Sequence, residues 1–117
     1  MTTDKKQVRI LLEILKQRGV EDFIISPGSR NTPIVIGVAR DKNFTSRVVI
    51  DERSAAFVAL GLSAQTSKPV ALVCTSGTAV LNYAPAIAEA YYRNVPLIVI
   101  TADREPEEID QNESQTI

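Results

Sequence analysis

Histidine and tryptophan are absent from this 117-residue chain, cysteine occurs once, and aromatic residues make up 5% of it. Without histidine there is no usual general base, no Ser-His-Asp or Cys-His arrangement, and no access to the commonest transition-metal ligand. Chemistry here has to come from carboxylates, hydroxyls, arginine, backbone groups or a borrowed cofactor. The lone Cys74 cannot form an internal disulfide, and its apolar run predicts a reduced, buried thiol. No stretch approaches the roughly 18 unbroken apolar residues that cross a bilayer, and the first residues lack a signal peptide's apolar core and cleavage site. A cytoplasmic chain without membrane contact is therefore expected. Basic residues neither cluster nor interleave with aromatics, which argues against nucleic acid as a partner.

What is present is an ordinary globular composition, 44% apolar and 23% charged, at a length that suits one domain. The net charge of -1 conceals an asymmetry. Residues 1–104 hold all 13 basic groups and nine acids, a net of +4, whereas residues 105–117 hold five acids and no base. Residues 1–104 are expected to form the folded domain, and 105–117 an acidic tail or linker belonging to it.

Thr3 or Asp4 can cap a first helix whose apolar residues Val8, Leu11, Leu12 and Leu15 recur at helical spacing, with Gly19 placed to end it. Phe23-Ile24-Ile25 predicts a buried strand running into Ser26-Pro27-Gly28-Ser29. Pro33 suits the first turn of a second helix, reaching about Asp41. Arg47 to Ile50 predicts the second strand, followed by an Ala-rich helix from about Arg53 to Gln65. Val70 to Cys74 predicts the third strand, Ser76-Gly77-Thr78 leads into a helix reaching about Tyr92, and Val95 to Thr101 predicts the fourth strand. This order, one helix followed by alternating strands and helices, gives an α/β fold: a three-layer, doubly wound parallel sheet with helices on both faces and strands buried on both sides.

In such a sheet, ligands bind where loops leave the carboxyl ends of the strands. Four loops converge there: Ser26 to Asn31, Asp51 to Ser54, Thr75 to Thr78, and Thr101 to Arg104. Three open a helix, whose free N–H groups favour anionic or polar ligand groups. Each loop also reads as plain capping and turning, with Ser29 or Asn31, Asp51 and Ser76 as N-caps. Arg30, Arg53 and Arg104 on one edge, with Glu52, would suit a carboxylate substrate. Neither a dinucleotide-binding nor a P-loop glycine pattern occurs.

The segments Ser26 to Pro33, Asp51 to Phe57, Thr75 to Ala79, Thr101 to Arg104 and Gln115 to Ile117 together resemble the N-terminal pyrimidine-binding domain of the 2-succinyl-5-enolpyruvyl-6-hydroxy-3-cyclohexene-1-carboxylate synthase family. Those enzymes depend on thiamine diphosphate and act in menaquinone biosynthesis. The resemblance implies that Glu52 is catalytic, hydrogen-bonding N1′ of the aminopyrimidine so that the cofactor can form the carbanion that attacks 2-oxoglutarate. It implies cofactor contacts at Pro27, Glu52, Ser76, Gly77, Thr78 and Asn82, and contacts to the second substrate, isochorismate, at Ser29, Arg30, Arg104 and Gln115. Gly77 has a reason to be small if backbone approaches the ring closely, and Asn82 reads equally well as a helix-surface amide. A carboxyl in the role of Glu52 exchanges a proton near neutral pH, which apolar burial by Ala55, Ala56 and Phe57 would favour and the helix N-terminus would oppose.

Two positions depart from the family pattern: Glu105 stands where a proline is usual and Ser114 where an asparagine is usual, which bears on substrate binding in the tail. No Gly-Asp-Gly segment occurs, so the cofactor's diphosphate and Mg²⁺ are expected on another domain, with no metal ligand in this chain. The resemblance further implies a homodimer or homotetramer, with the site shared between subunits and this piece inactive by itself. Surface meant for those partners would be exposed, favouring self-association. Two other readings stay open, an acetolactate-synthase-like carboligase domain and a stand-alone α/β binding domain without catalysis.

Overall fold

A computed structural model describes residues 5–103 of the chain. Four parallel strands, β1 (Asp22–Ile25), β2 (Thr45–Val48), β3 (Val70–Cys74) and β4 (Leu97–Thr101), form a sheet of order β2-β1-β3-β4. They alternate with helices α1 (Lys6–Gln17), α2 (Thr32–Ala39), α3 (Glu52–Thr66), α4 (Thr78–Leu81) and α5 (Ala84–Arg93). Successive strand residues point to opposite faces, so β1 and β3 feed two separate cores. Phe23, Ile25, Ala71 and Val73 pack with Leu12 and Leu15 of α1 and Ile34 and Val38 of α2. Ile24, Val70, Leu72 and Cys74 pack with Ala55, Ala56 and Ala59 of α3, Ala79 of α4 and Ala86 of α5. The expected three-layer, doubly wound arrangement is what forms.

The helical stripe of α1 behaves as its spacing predicts, with Leu12 and Leu15 buried and Val8 and Leu11 against the same core. Gly19 takes φ +85°, the conformation a glycine after a helix supplies at little cost. The proposed caps Thr3 and Asp4 lie outside the described residues, and Lys5 holds the N-cap position without a side-chain bond.

Three expectations need correction. The second strand is Thr45–Val48, two residues earlier than Arg47 to Ile50. Its register is set by the ladder to β1, which runs from Asp22 opposite Thr45 to Ile25 opposite Val48. Arg47 Nη1 reaches Asp22 Oδ1 at 3.1 Å across that ladder, and Ile50 is left 73% exposed beyond it. Burial on both faces holds for β1 and β3, the central strands. Both outer strands are largely open, β2 exposed throughout and β4 nowhere fully buried.

The last helix is also two helices. Pro85 has no N–H to donate to the carbonyl of Leu81 four residues back, so the chain turns through Asn82 and Tyr83 and restarts as α5. That break carries Tyr83 inward, and it becomes the largest fully buried side chain.

Candidate active site at the carboxyl edge of the sheet

Ser26 follows β1 and ties the middle of the rim together. Its N–H donates to Val73 O at 2.9 Å and its hydroxyl donates to Val49 O at 2.6 Å, joining the ends of three strands. On the far side the Ala102 N–H donates to Cys74 O at 3.1 Å, bringing in β4. The four predicted loops therefore do leave from one edge.

The loop from Ser26 to Asn31 is held from within. Asn31 is fully buried; it donates through Nδ2 to Ser26 O at 3.0 Å and accepts from the Gly28 N–H at 3.0 Å. It occupies the N-cap position of α2 without a side-chain capping bond, so its amide fastens the preceding loop instead of capping the helix. Gly28 faces Thr75 so closely that a Cβ would lie 3.0 Å from Thr75 Cβ and Cγ2, which packs the first loop directly on the third. Pro27 and Ser29 are exposed, and Arg30 is half-buried with Nη1 3.4 Å from Ser29 Oγ.

Asp51 is a true N-cap. Its carboxylate accepts from Ser54 N at 2.9 Å and Ser54 Oγ at 2.8 Å, and these bonds hold it below the usual carboxylate range. With Asp51 so engaged, Glu52 is free to serve as the first residue of α3. Its side chain is half-buried. Ala55 and Ala56 are buried behind it as expected, whereas Phe57 is 41% exposed. In the core behind the rim, the negative charge of Glu52 adds to the effect of burial in opposing ionisation of Cys74 and Tyr83. Burial is the larger cause in each case; it pushes the Cys74 thiol up to about 11 and the Tyr83 phenol well above its ordinary value. Both stay protonated at neutral pH.

The loop after β3 is almost wholly buried from Thr75 to Gly77. Ser76 is not the N-cap that the sequence suggested; Gly77 holds that place before α4, at φ 71° and ψ -133°. Few side-chain-bearing residues tolerate that conformation, so Gly77 is required by backbone shape as well as by any close approach. Among the described residues, buried Ser76 Oγ and Thr75 Oγ1 find no hydrogen-bond partner, and Tyr83 OH, beside Cys74 and Ser26, makes no well-aligned bond. Leaving a buried polar group unpaired costs about 1–3 kcal/mol, so the hydroxyls of Thr75 and Ser76 behind this edge call for a polar partner, an ordered water or a ligand. Thr78 is exposed, and Asn82, also exposed, donates from Nδ2 to Thr78 O at 2.8 Å as a helix-surface amide.

Arg53 is exposed, and Arg104 and Gln115 lie outside the described residues. Among the described residues no three His, Cys, Asp or Glu side chains gather as metal ligands, and no helix is long and apolar enough to cross a membrane. Tyr83 is the buried residue behind this edge that the sequence reading did not single out. Inside a predicted continuous helix it looked like one more apolar position, and the signal that could have exposed it is Pro85 two residues later.

The donor set fits the aminopyrimidine end of thiamine diphosphate: one half-buried carboxylate, unpartnered hydroxyls, and a glycine backbone that admits a flat ring. Comparison with known proteins agrees. The family described as thiamine pyrophosphate enzyme, N-terminal TPP binding domain, matches residues 5–117. The chain is 63% identical over 105 residues to the 2-succinyl-5-enolpyruvyl-6-hydroxy-3-cyclohexene-1-carboxylate synthase of Cytophaga hutchinsonii, covering 90% of this chain and 19% of that protein. Proteins of the same name from Porphyromonas gingivalis and Bacteroides fragilis are 52% and 50% identical, over 98% and 100% of this chain and 20% and 21% of theirs. The chain thus spans about a fifth of the length of these relatives. The solved structure of benzoylformate decarboxylase from Polynucleobacter necessarius superposes with a TM-score of 0.80 at 23% identity, over 99% of this chain and 21% of that one, a likeness of fold. With the parallel sheet, its polar rim and a match that runs from Lys5 to Ile117, the chain belongs to the N-terminal TPP-binding domain family of thiamine pyrophosphate enzymes.

Proposed function

We propose that the chain is the pyrimidine-binding domain of a 2-succinyl-5-enolpyruvyl-6-hydroxy-3-cyclohexene-1-carboxylate synthase, which decarboxylates 2-oxoglutarate and joins the remaining four-carbon unit to isochorismate. The observation that carries this reading is Glu52, half-buried at the first position of α3 on the rim where all four strands end. When bound, thiamine diphosphate supplies an acidic carbon that adds to the keto group of a 2-oxo acid and takes up the electron pair left as carbon dioxide departs. Glu52 holds a proton between its carboxylate and a ring nitrogen of the aminopyrimidine. Gly77 presents bare backbone to the ring, Ser76 Oγ offers it an unused hydrogen bond, and Pro27, Thr78 and Asn82 border it. Ser29 and Arg30, with Arg104 and Gln115, hold the carboxylates and hydroxyl of isochorismate, for which a guanidinium fork is apt.

The diphosphate and Mg²⁺ belong, in this reading, to another part of the full-length protein, a cytoplasmic homodimer or homotetramer, so residues 1–117 alone are inactive. The test uses that full-length protein. Sustained carbon dioxide release from 2-oxoglutarate, beyond one equivalent per site, is expected to require isochorismate, thiamine diphosphate and a divalent ion together. Glu52→Gln is expected to lower turnover by about 10²- to 10⁴-fold, the usual weight of a positioned proton-transfer group. Unchanged turnover in that variant refutes the role.

A further inference from the structure

Ser26 touches no ligand in the reading above, yet all of its polar groups are spent at the rim. It is fully buried. Its N–H donates to Val73 O at 2.9 Å, its carbonyl accepts from Asn31 Nδ2 at 3.0 Å, and its hydroxyl donates to Val49 O at 2.6 Å. The last of these bonds stands where the sheet itself runs out of donors. Along the ladder between β1 and β2, the Thr45 N–H donates to Glu21 O at 2.8 Å and the Val49 N–H to Ile25 O at 3.0 Å. In a parallel ladder a residue that donates to one neighbour accepts from the residue two places further along the same partner strand, so the Val49 carbonyl is due a bond from the N–H of residue 27. That residue is Pro27, which has none. The Ser26 hydroxyl supplies the missing donor from one residue earlier.

The chain after Val49 has little else to hold it. β2 is exposed throughout, Ile50 is 73% exposed, and Asp51 already caps α3, with Glu52 as the first helical residue. Fixing the Val49 carbonyl fixes the plane of the peptide between Val49 and Ile50, and with it the direction in which the chain enters the cap and presents Glu52. We propose that Ser26 is a positioning residue for Glu52: its hydroxyl replaces the donor that Pro27 lacks, and so sets the path of the segment Ile50 to Glu52 that brings the carboxylate to the rim. The proposal rests on the reading of Glu52 as the group that meets the aminopyrimidine. Pro27 ends the ladder and leaves the edge open to a ligand, while the serine before it keeps the freed strand end in place.

The test uses the full-length protein and reads the dissociation constant of thiamine diphosphate by calorimetry at fixed Mg²⁺. Ser26→Ala is expected to weaken binding about fivefold, the scale of one hydrogen bond. In a Glu52→Ala background, where no carboxylate is left to place, the same change is expected to have less than about a twofold effect. Ser63→Ala is the packing control. It removes an equally buried serine hydroxyl, bonded to Lys68 O at 2.7 Å and Pro96 O at 3.0 Å at the opposite end of the sheet, and is expected to lower the melting temperature without changing affinity. A second cycle, read by melting temperature and independent of the cofactor, tests the exchange of donors. Pro27→Ala restores an N–H to the ladder, so Ser26→Ala is expected to lower the melting temperature less in that background than in the wild type. Equal affinity costs of Ser26→Ala with Glu52 present and absent, an affinity loss in Ser63→Ala as large as in Ser26→Ala, or equal melting-temperature costs in the two backgrounds at residue 27 each overturns this proposal alone. Absence of thiamine diphosphate binding in the wild-type protein overturns the functional reading and this proposal with it.

Discussion

Asn31→Ala removes a side chain that is fully buried and makes two hydrogen bonds, from its Nδ2 to Ser26 O and to its Oδ1 from the Gly28 N–H, each 3.0 Å long. Each bond contributes about 0.5–1.5 kcal/mol net, and stranding the buried Ser26 carbonyl adds about 1–3 kcal/mol, so the expected loss is about 2–6 kcal/mol. Denaturant unfolding measures the total, and hydrogen exchange at the Gly28 amide reads the loop itself, which should lose protection before the rest of the sheet. Asn31→Asp sharpens the argument. One carboxylate oxygen can still accept from Gly28, but the other faces the Ser26 carbonyl with no proton between them. Burial and that repulsion raise the folded-state pKa of the new carboxyl above its unfolded value of about 3.9. The folded state then binds more protons than the unfolded state as pH climbs from that value, so stability relative to wild type falls with rising pH. The variant should lie closer to wild type near pH 4 than at pH 7. A loss below about 0.5 kcal/mol in Asn31→Ala, or a pH-independent deficit in Asn31→Asp, would refute the view that this amide locks the first rim loop.

Gly77→Ala places a side chain at φ 71° and ψ -133°, and about 1–3 kcal/mol of destabilisation is expected in an unfolding titration, together with weakened cofactor binding because the rim backbone must move. Asp51 is held below the usual carboxylate range by the Ser54 N–H and hydroxyl. Its contribution to stability is present above its unfolded pKa and disappears as pH falls through the lower folded one. The gap between wild type and Asp51→Ala should therefore be full at neutral pH and close in strong acid, and an acid-denaturation series on the pair checks it.

Most of the fold was legible because the central strands leave little choice. Val70 to Cys74 and Phe23 to Ile25 are apolar on both faces, and only a sheet covered by helices on each side can bury them. The errors fall where tertiary pairing outranks local pattern. Val48-Val49-Ile50 looks like the centre of a strand, but the ladder to β1 begins at the polar Thr45-Ser46 and leaves Ile50 outside. The missed helix break follows from one proline, whose effect is felt four residues upstream at a carbonyl that no sequence window marks. The acidic tail, with Arg104 and Gln115, falls outside the described residues.

At the rim, residue types announced the loops but did not reveal their division of labour. Asp51 and Glu52 are adjacent carboxylates, and either could have capped α3; the bonds from Ser54 assign that task to Asp51 and release Glu52. Asn31 and Ser76 both read from the sequence as caps, and Ser26 as an ordinary loop residue. Following each polar atom to its partner separates them: the polar atoms of Ser26 and Asn31 are spent on Val49 O, Ser26 O and the Gly28 N–H, while Ser76 Oγ has none. The rim thus combines a satisfied inner frame, Ser26 and Asn31, with buried Thr75 and Ser76 hydroxyls that find no partner among the described residues, and because an unpaired buried hydroxyl lowers stability, these two are the positions where an ordered water or a ligand group gains most.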